Sequence, residues 1–309
     1  MIEVPMKRLL ETGVHFGHQP SRWNPKMEPY IFTERKGVHI IDLQQTIEKI
    51  KSVTEMVTQR VADGDEILFV GTKRQTAESL EEHAERCGMP YVNRRWLGGT
   101  LTNFKTIRKS VDKLRELERM EEENILDRLS NKEARRKVRE KRRLERNLSG
   151  IREMDSLPDM LWITDVMREE IAVSEAQKLD IPVVGIMDTN CDPDDVDYGI
   201  PGNDDAIRGL ALYNEIIADA VIEGREIREK RLAEEQAALQ AEEVEEQEIP
   251  SEAEIIEPGE EEELQTAEDA IEDVPEETAD EEAAEAEEAE EAEETESSSS
   301  EEKTEATTT

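Results

Sequence analysis

Between residues 42 and 64 apolar side chains recur every three or four positions, at Leu43, Ile47, Ile50, Val53, Val57 and Val61. That spacing places them on one helical face, with Asp42 positioned to cap the start and Gly64 to stop the end. Glu66-Ile-Leu-Phe-Val70 follows as a short apolar run closed by Gly71, the pattern of a strand buried on both faces. A second helix is expected from about Gln75 to Cys87, stopping at Gly88. The alternation then returns, with a strand at Met160–Thr164, a helix at Glu169–Leu179 and a strand at Pro182–Met187. A long helix runs through Ala206, Leu210, Tyr213, Ile217, Ala220 and Val221, with Asn203 or Asp204 as its expected cap. Such strands alternating with helices predict an α/β fold whose parallel sheet is covered on both faces.

Residues 103–154 break this rhythm. Phe104, Ile107, Val111 and Leu114 keep a helical step, as do Val138, Leu144, Leu148 and Ile151, while 121–133 between them is polar. The spacing predicts two long antiparallel helices, a hairpin inserted into the α/β domain. Residues 105–152 carry 17 Lys or Arg against 10 acidic residues, and Lys132–Arg146 alone carries nine against three. Solvated helices hold many Lys–Glu pairs, but pairing does not require that excess. Attraction to a phosphate backbone accounts for it better.

Charge changes the picture again. The 309 residues include 78 acidic and 39 basic side chains, a formal charge of −39. From Ala233 to Thr309 there are 34 acidic residues and one basic residue, Lys303, whereas residues 1–232 hold 44 acidic and 38 basic side chains. Only residues 1–232 are expected to fold, as one domain. Residues 233–309, with Glu-Ala and Glu-Glu repeats, are expected to form a disordered low-complexity tail, because they cannot bury enough apolar surface to offset their ordering entropy. Two cysteines, Cys87 and Cys191, are too few for a disulfide framework. No apolar run reaches membrane-spanning length and the start lacks signal-peptide features. A cytoplasmic protein with no membrane partner is the expectation.

The segment from Thr12 to Asp42 shows no helical or strand period. It concentrates Gly13, His15, Gly17, His18, Arg22-Trp-Asn-Pro-Lys26 and the basic turn Arg35-Lys-Gly37, a composition typical of a binding surface. Gly71-Thr-Lys-Arg-Gln75 opens a helix after a strand. A helix N-terminus with Lys73 and Arg74 suits a phosphate, from a nucleotide or from an RNA backbone; the loop is not a Walker A sequence, so a polyanion contact is the expectation, with a solvated turn as the alternative. Asn93-Arg-Arg-Trp-Leu-Gly-Gly-Thr-Leu-Thr-Asn-Phe-Lys105 offers Arg94, Arg95 and Lys105 to phosphates, with Trp96 expected in the core. His15 and His18 stand at a His-x-x-His spacing, but two ligands are not a metal site, and packing or a hydrogen bond to a partner is the expected use. Asp188–Asp197 holds five aspartates without EF-hand spacing, which Asx turns and helix caps explain. No metal or cofactor is expected, and no nucleophile–base set is recognisable.

These motifs are similar to those of one family. The Thr12–Asp42 segment, Phe69-Val-Gly-Thr-Lys-Arg-Gln75, Arg94-Arg-Trp-Leu-Gly-Gly-Thr-Leu-Thr-Asn-Phe104, Asp188-Thr-Asn-Cys-Asp-Pro-Asp-Asp-Val-Asp-Tyr198 and Ile200-Pro-Gly-Asn-Asp-Asp-Ala-Ile-Arg208 resemble the second protein of the bacterial small ribosomal subunit (ribosomal protein S-two), in the family's order over about residues 5–225. The resemblance implies a flavodoxin-like three-layer domain with an inserted helical (coiled-coil) hairpin. It implies a structural role between head and body, contacts with small-subunit rRNA and neighbouring ribosomal proteins, late entry into assembly, and help in holding the large mRNA-binding ribosomal protein S-one. The acidic extension lies outside the resemblance; it is expected to act as a polyanion mimic or to dock a basic neighbour, with a solubility adaptation as the alternative.

The reading is a non-enzymatic, ribosome-associated rRNA-binding protein that is not a homo-oligomer. Its expected phosphate contacts are Arg22, Lys26, Lys36, Lys73, Arg74, Arg94, Arg95 and Lys105 on the globular part, and Arg135, Arg136, Lys137, Arg139, Arg142 and Arg143 on the hairpin. Two competitors remain: a nucleotide-dependent α/β enzyme using the loop at Gly71, and a protein-only scaffold whose hairpin binds an acidic partner.

Overall fold

The computed structural model describes residues 4–247. A short helix α1 (Met6–Thr12) leads into a two-stranded antiparallel hairpin, β1 (Ile31–Arg35) and β2 (Val38–Ile41). Helix α2 (Leu43–Asp63), strand β3 (Ile67–Val70), helix α3 (Ala77–Cys87) and strand β4 (Tyr91–Val92) follow. Two helices, α4 (Phe104–Glu122) and α5 (Asn131–Leu148), are joined through a 3₁₀ turn at Leu126–Arg128. The chain then forms β5 (Met160–Ile163), α6 (Glu170–Lys178), β6 (Val183–Met187), β7 (Tyr198–Pro201) and α7 (Ile207–Gln247).

The main sheet is parallel throughout, in the order β4-β3-β5-β6-β7. Counting only its own strands along the chain, that is 2-1-3-4-5, the flavodoxin-like order, which places a topological switch point between β3 and β5. Side chains alternate across the sheet as the pleat requires. Ile67 and Phe69 of β3, with Met160 and Trp162 of β5, join a core with α2, α3 and α7. Leu68, Val70, Leu161 and Ile163 point the other way, into a core with α4, α6 and Met27. Three layers result, which is why the central strands read as continuous apolar runs.

The local signals at α2 act as read. The Asp42 carboxylate accepts from the Gln44 N–H at 2.9 Å, and Gly64 ends the helix at φ 112°. Other expectations need correction. The segment 12–42 is not irregular throughout, because 31–41 forms the β1–β2 hairpin, turned at Lys36 and Gly37 with φ 55° and 74°. Its period was illegible because β1 is exposed on both faces. Neither Asn203 nor Asp204 caps α7, which begins only at Ile207; Asp204 is buried and faces Lys73 instead. Helix α7 also crosses the composition change at residue 233 and continues to Gln247. Ala, Glu, Gln and Leu dominate 233–247, and extending an existing helix with such residues carries no nucleation cost. The disorder expected of the acidic tail concerns, beyond this point, residues 248–309, outside the described residues. No helix of the described residues is long and apolar enough to cross a membrane.

Candidate nucleic-acid interface

In an open parallel sheet of this order, ligands enter at the carboxyl ends of the strands beside the switch point. Here that crevice holds the protein's own side chains. After β3, the Thr72 N–H and hydroxyl both donate to Glu169 Oε1, at 2.8 and 2.6 Å. Glu169 is buried, and burial pushes its carboxyl above the usual carboxylate range against the opposing pull of Thr72. The backbone N–H that a phosphate would use therefore already has a carboxyl oxygen as its acceptor.

Lys73 is turned into the same crevice. Its ammonium lies 2.7 Å from Asp165, 2.9 Å from Asp204 and 2.9 Å from Asp205, and donates to the Asp204 carbonyl. Burial pushes Lys73 down, but the three carboxylates outweigh it and hold the group above its ordinary value. Asp204 moves the opposite way for an acid: burial, then repulsion from Asp188 and Asp165, raise it to about 7. Arg74, one position on, is exposed.

Two motifs far apart in sequence meet beside this cluster. Gly17 packs so closely on Thr189 that an added Cβ would lie 2.6 Å from its methyl carbon, and the His18 N–H donates to Thr189 Oγ1 at 2.9 Å. His18 Nδ1 consequently lies 3.1 Å from Asp188 Oδ2, and that hydrogen bond raises the imidazole above its usual value against the opposing effect of burial. Ligand atoms of His18, Asp188 and Asp204 lie within 4.8 Å of one another. They form a partial ligand set for a cation, with Lys73 already supplying positive charge beside it. His15 takes no part; burial lowers its pKa.

The remaining expected contacts divide by exposure. Arg22, Lys26 and Lys36 are exposed on and around the β1–β2 hairpin. The Lys26 ammonium, however, is held by Asp192 at 2.8 Å and by Asp194. Arg94, Arg95 and Lys105 are exposed, whereas Trp96 between them is buried. The Trp96 indole donates to Glu175 Oε1 at 3.1 Å, and the Gly99 N–H donates to the same oxygen at 2.7 Å. Oε2 accepts from the N–H groups of Leu101 and Thr102 and from the Thr102 hydroxyl. One buried carboxylate therefore shapes the loop that presents Arg94 and Arg95. Sequence reasoning missed Glu175. Its signal was an acidic residue on the apolar face defined by Ala172, Val173 and Ala176.

On α5, Arg135, Arg136, Arg139, Arg142 and Arg143 are exposed, as are Lys132 and Arg146, while Lys137 is half-buried with its ammonium 3.5 Å from Met120 Sδ. At about 100° per residue, the seven exposed basic positions occupy an arc of about 120°. Leu148 and the half-buried Ala134, Val138 and Leu144 lie on the opposite side. The ion pairs of this region use other cations: Lys113 with Glu140, Lys141 with Glu121, Arg152 with Glu118 and Arg108 with Asp155. Among the described residues, none of the seven exposed basic groups forms an ion pair.

Comparison with known families places most of the chain. The profile of the family described as Ribosomal protein S2 matches residues 9–224, which takes in both basic surfaces and stops short of the acidic extension. The chain therefore belongs to the ribosomal protein S2 family, structural proteins of the small ribosomal subunit.

Proposed function

We propose that this protein binds small-subunit rRNA through two basic surfaces: the exposed face of α5, and the loop carrying Arg94 and Arg95 with Lys105 at the start of α4. The α5 arc carries the proposal. Seven basic side chains on one face without carboxylate partners are costly in self-repulsion, and a phosphate backbone relieves that cost. Arg22, Lys36 and Arg74 extend the surface as exposed cations. Lys26 and Lys73 contribute through the carboxylates they hold, by shaping the loops around them. In this reading the protein joins late in assembly, acts without catalysing a reaction, and helps hold ribosomal protein S-one and other neighbours. Exposed Met6, Leu10 and Phe16 are apolar surface that protein neighbours would cover.

The filled switch-point crevice disfavours the nucleotide-enzyme reading, because Thr72 already donates to Glu169 there and Lys73 is already held by Asp165, Asp204 and Asp205. The test is rebinding of the full chain to small subunits stripped of late-joining proteins. Saturable one-to-one cosedimentation that survives competitor RNA is expected, together with its loss in R139E/R142E/R143E. Undiminished rebinding by that triple variant would overturn the assignment to α5.

A further inference from the structure

A cavity of about 450 Å³ lies where the foot of α5 meets the sheet, within the roughly 300–1,000 Å³ of ligand sites. The C-terminal end of α3, the residues just ahead of β3, the start of β4 and the connection after α5 enclose it. Its charge is opposite to that of the α5 arc. Glu66, Glu85 and Glu153 line it and form no ion pair among the described residues. The guanidinium groups nearby are already engaged. Arg152, in the same lining, pairs with Glu118 at 2.7 Å, and Arg225 donates to the Gly88 carbonyl at 2.9 Å. The end of α3 adds the negative pole of its macrodipole.

Two of these carboxylates are short of a donor. The Tyr91 hydroxyl, on a side chain only 7% exposed, stands 3.0 Å from Glu81 Oε1 and 3.0 Å from Glu85 Oε1. A phenol carries one hydrogen, so one of the two carboxylates faces it lone pair to lone pair. Glu81 has a second donor in Asn93 Nδ2 at 2.8 Å, whereas Glu85 has no other among the described residues. Glu66 is half-buried, and among the described residues nothing donates to its carboxylate. Burial, with Asp159 beside it, pushes that carboxyl up against the pull of Arg225. A partly desolvated acid without a partner is costly, and a bound cation offsets the cost.

We propose that this cavity receives an arginine side chain from a basic segment of a neighbouring protein. A guanidinium presents its donors in a planar fork that matches carboxylates, enough to serve Glu66, Glu85 and Glu153 together. Its alkyl stem has buried Met89 and Met154 to lie along. RNA has the wrong sign for this surface, so the partner is a protein. The occupant ties residues 149–154, the foot of α5, to the end of α3, and so steadies the direction in which the basic arc points. The proposal stands on the cavity's own charge and lining, independently of the RNA-binding reading above.

Amide shifts of the isotope-enriched full chain test it, with acetyl-Gly-Arg-Gly-Arg-Gly-amide as the probe at about 25 mM salt, where screening is weak. Saturable shifts confined to residues 66, 85, 88, 89, 91 and 149–154 are expected. Binding should weaken about tenfold in E66Q and in E153Q, each of which removes a charged acceptor. Glu153 is exposed, so E153Q keeps the comparison open if E66Q fails to fold. The same peptide with citrulline in place of arginine should leave these amides unmoved. Absent shifts, shifts spread over the surface, or equal binding by the citrulline peptide overturn the site. Spermidine binding at these amides as tightly as the peptide would make this a polyamine site and overturn the protein partner. Displacement of the peptide from them by a 20-nucleotide oligouridylate would overturn it as well.

Discussion

Glu175 Oε1 accepts from the Trp96 indole N–H at 3.1 Å across 79 positions of sequence. The same carboxylate gathers the Gly99, Leu101 and Thr102 N–H groups and the Thr102 hydroxyl. A helix on one side of the sheet thereby sets the shape of the loop ahead of α4, and the exposed Arg94 and Arg95 inherit that shape. Replacing Glu175 with Ala strands two buried donors, the Trp96 indole and the Leu101 N–H, and frees those of Gly99 and Thr102. At about 1–3 kcal/mol for each group left unsatisfied, with partial relaxation, a loss of about 3–5 kcal/mol is expected. The denaturant midpoint should fall with little change in slope, and rebinding to the subunit should weaken even under folding conditions.

The same carboxylate has an acid signature. Burial pushes Glu175 up, but the N–H groups of Gly99 and Thr102, with Trp96 and Leu101, together outweigh it and hold the carboxyl below its ordinary value. A depressed acid contributes stability that is complete above the unfolded pKa, about 4.3, and is lost as pH falls through the folded value. E175Q should therefore be less stable than the parent at pH 7, with the difference shrinking below pH 4. A constant difference down to pH 3 in denaturant titrations would contradict this assignment.

At the His18–Asp204 corner the sign is reversed. Asp204 is raised to about 7 and His18 is also raised. Both bind protons more tightly in the folded state than in the unfolded chain. Their contribution is present at lower pH and is lost as pH rises through the folded values, which for Asp204 means between about 4 and about 7. The parent is expected to unfold at lower denaturant at pH 8 than at pH 6. D204N should reduce that difference.

Lys73 separates architecture from RNA contact. Removing its ammonium leaves buried Asp165 and Asp204 without their shared cation, a change of the kind that costs about 3–5 kcal/mol. K73M should lower the melting temperature by several degrees while leaving the salt slope of RNA binding unchanged. An altered salt slope with full stability would make Lys73 a phosphate ligand after all.

The α5 arginines should behave the other way round. Each phosphate contact contributes about 0.7–0.9 to the slope of log affinity against log salt. R139S/R142S/R143S should lower that slope by about 2 to 3 and leave thermal stability nearly unchanged, because these side chains are exposed and unpaired.

Packing at Gly150 sets a stricter limit. A Cβ there would lie 2.1 Å from the Tyr91 carbonyl oxygen, so the turn after α5 and strand β4 would have to separate. G150A should cost several kcal/mol, at or beyond the upper end of about 1–3 for overpacking, measurable as reduced soluble yield and an early unfolding midpoint.

What could be read from the chain alone was whatever nearest neighbours settle. Asp42 and Gly64 bound α2 because a cap acts within three residues of itself. The runs at 67–70, 160–163 and 183–187 were legible as buried strands, since a strand covered on both faces has no polar alternation to confuse it. The basic character of α5 was equally plain. Exposed β1 carried no such signal, and β7, whose first two residues are not buried, was recognisable as a motif but not as a strand.

Tertiary structure alone decided which charges were free. Gly71-Thr-Lys-Arg-Gln75 has the composition of a phosphate cradle, yet its lysine meets Asp204 across 131 residues and its threonine meets Glu169 across 97. Whether a cation faces solvent or a carboxylate depends on chain segments that local sequence cannot place. Ion pairing is set by distances of a few ångströms, and those come from the sheet order. Local pattern specified an α/β domain with a basic helix and an acidic extension; folding decided that Lys73 closes the crevice and that the α5 arginines remain available.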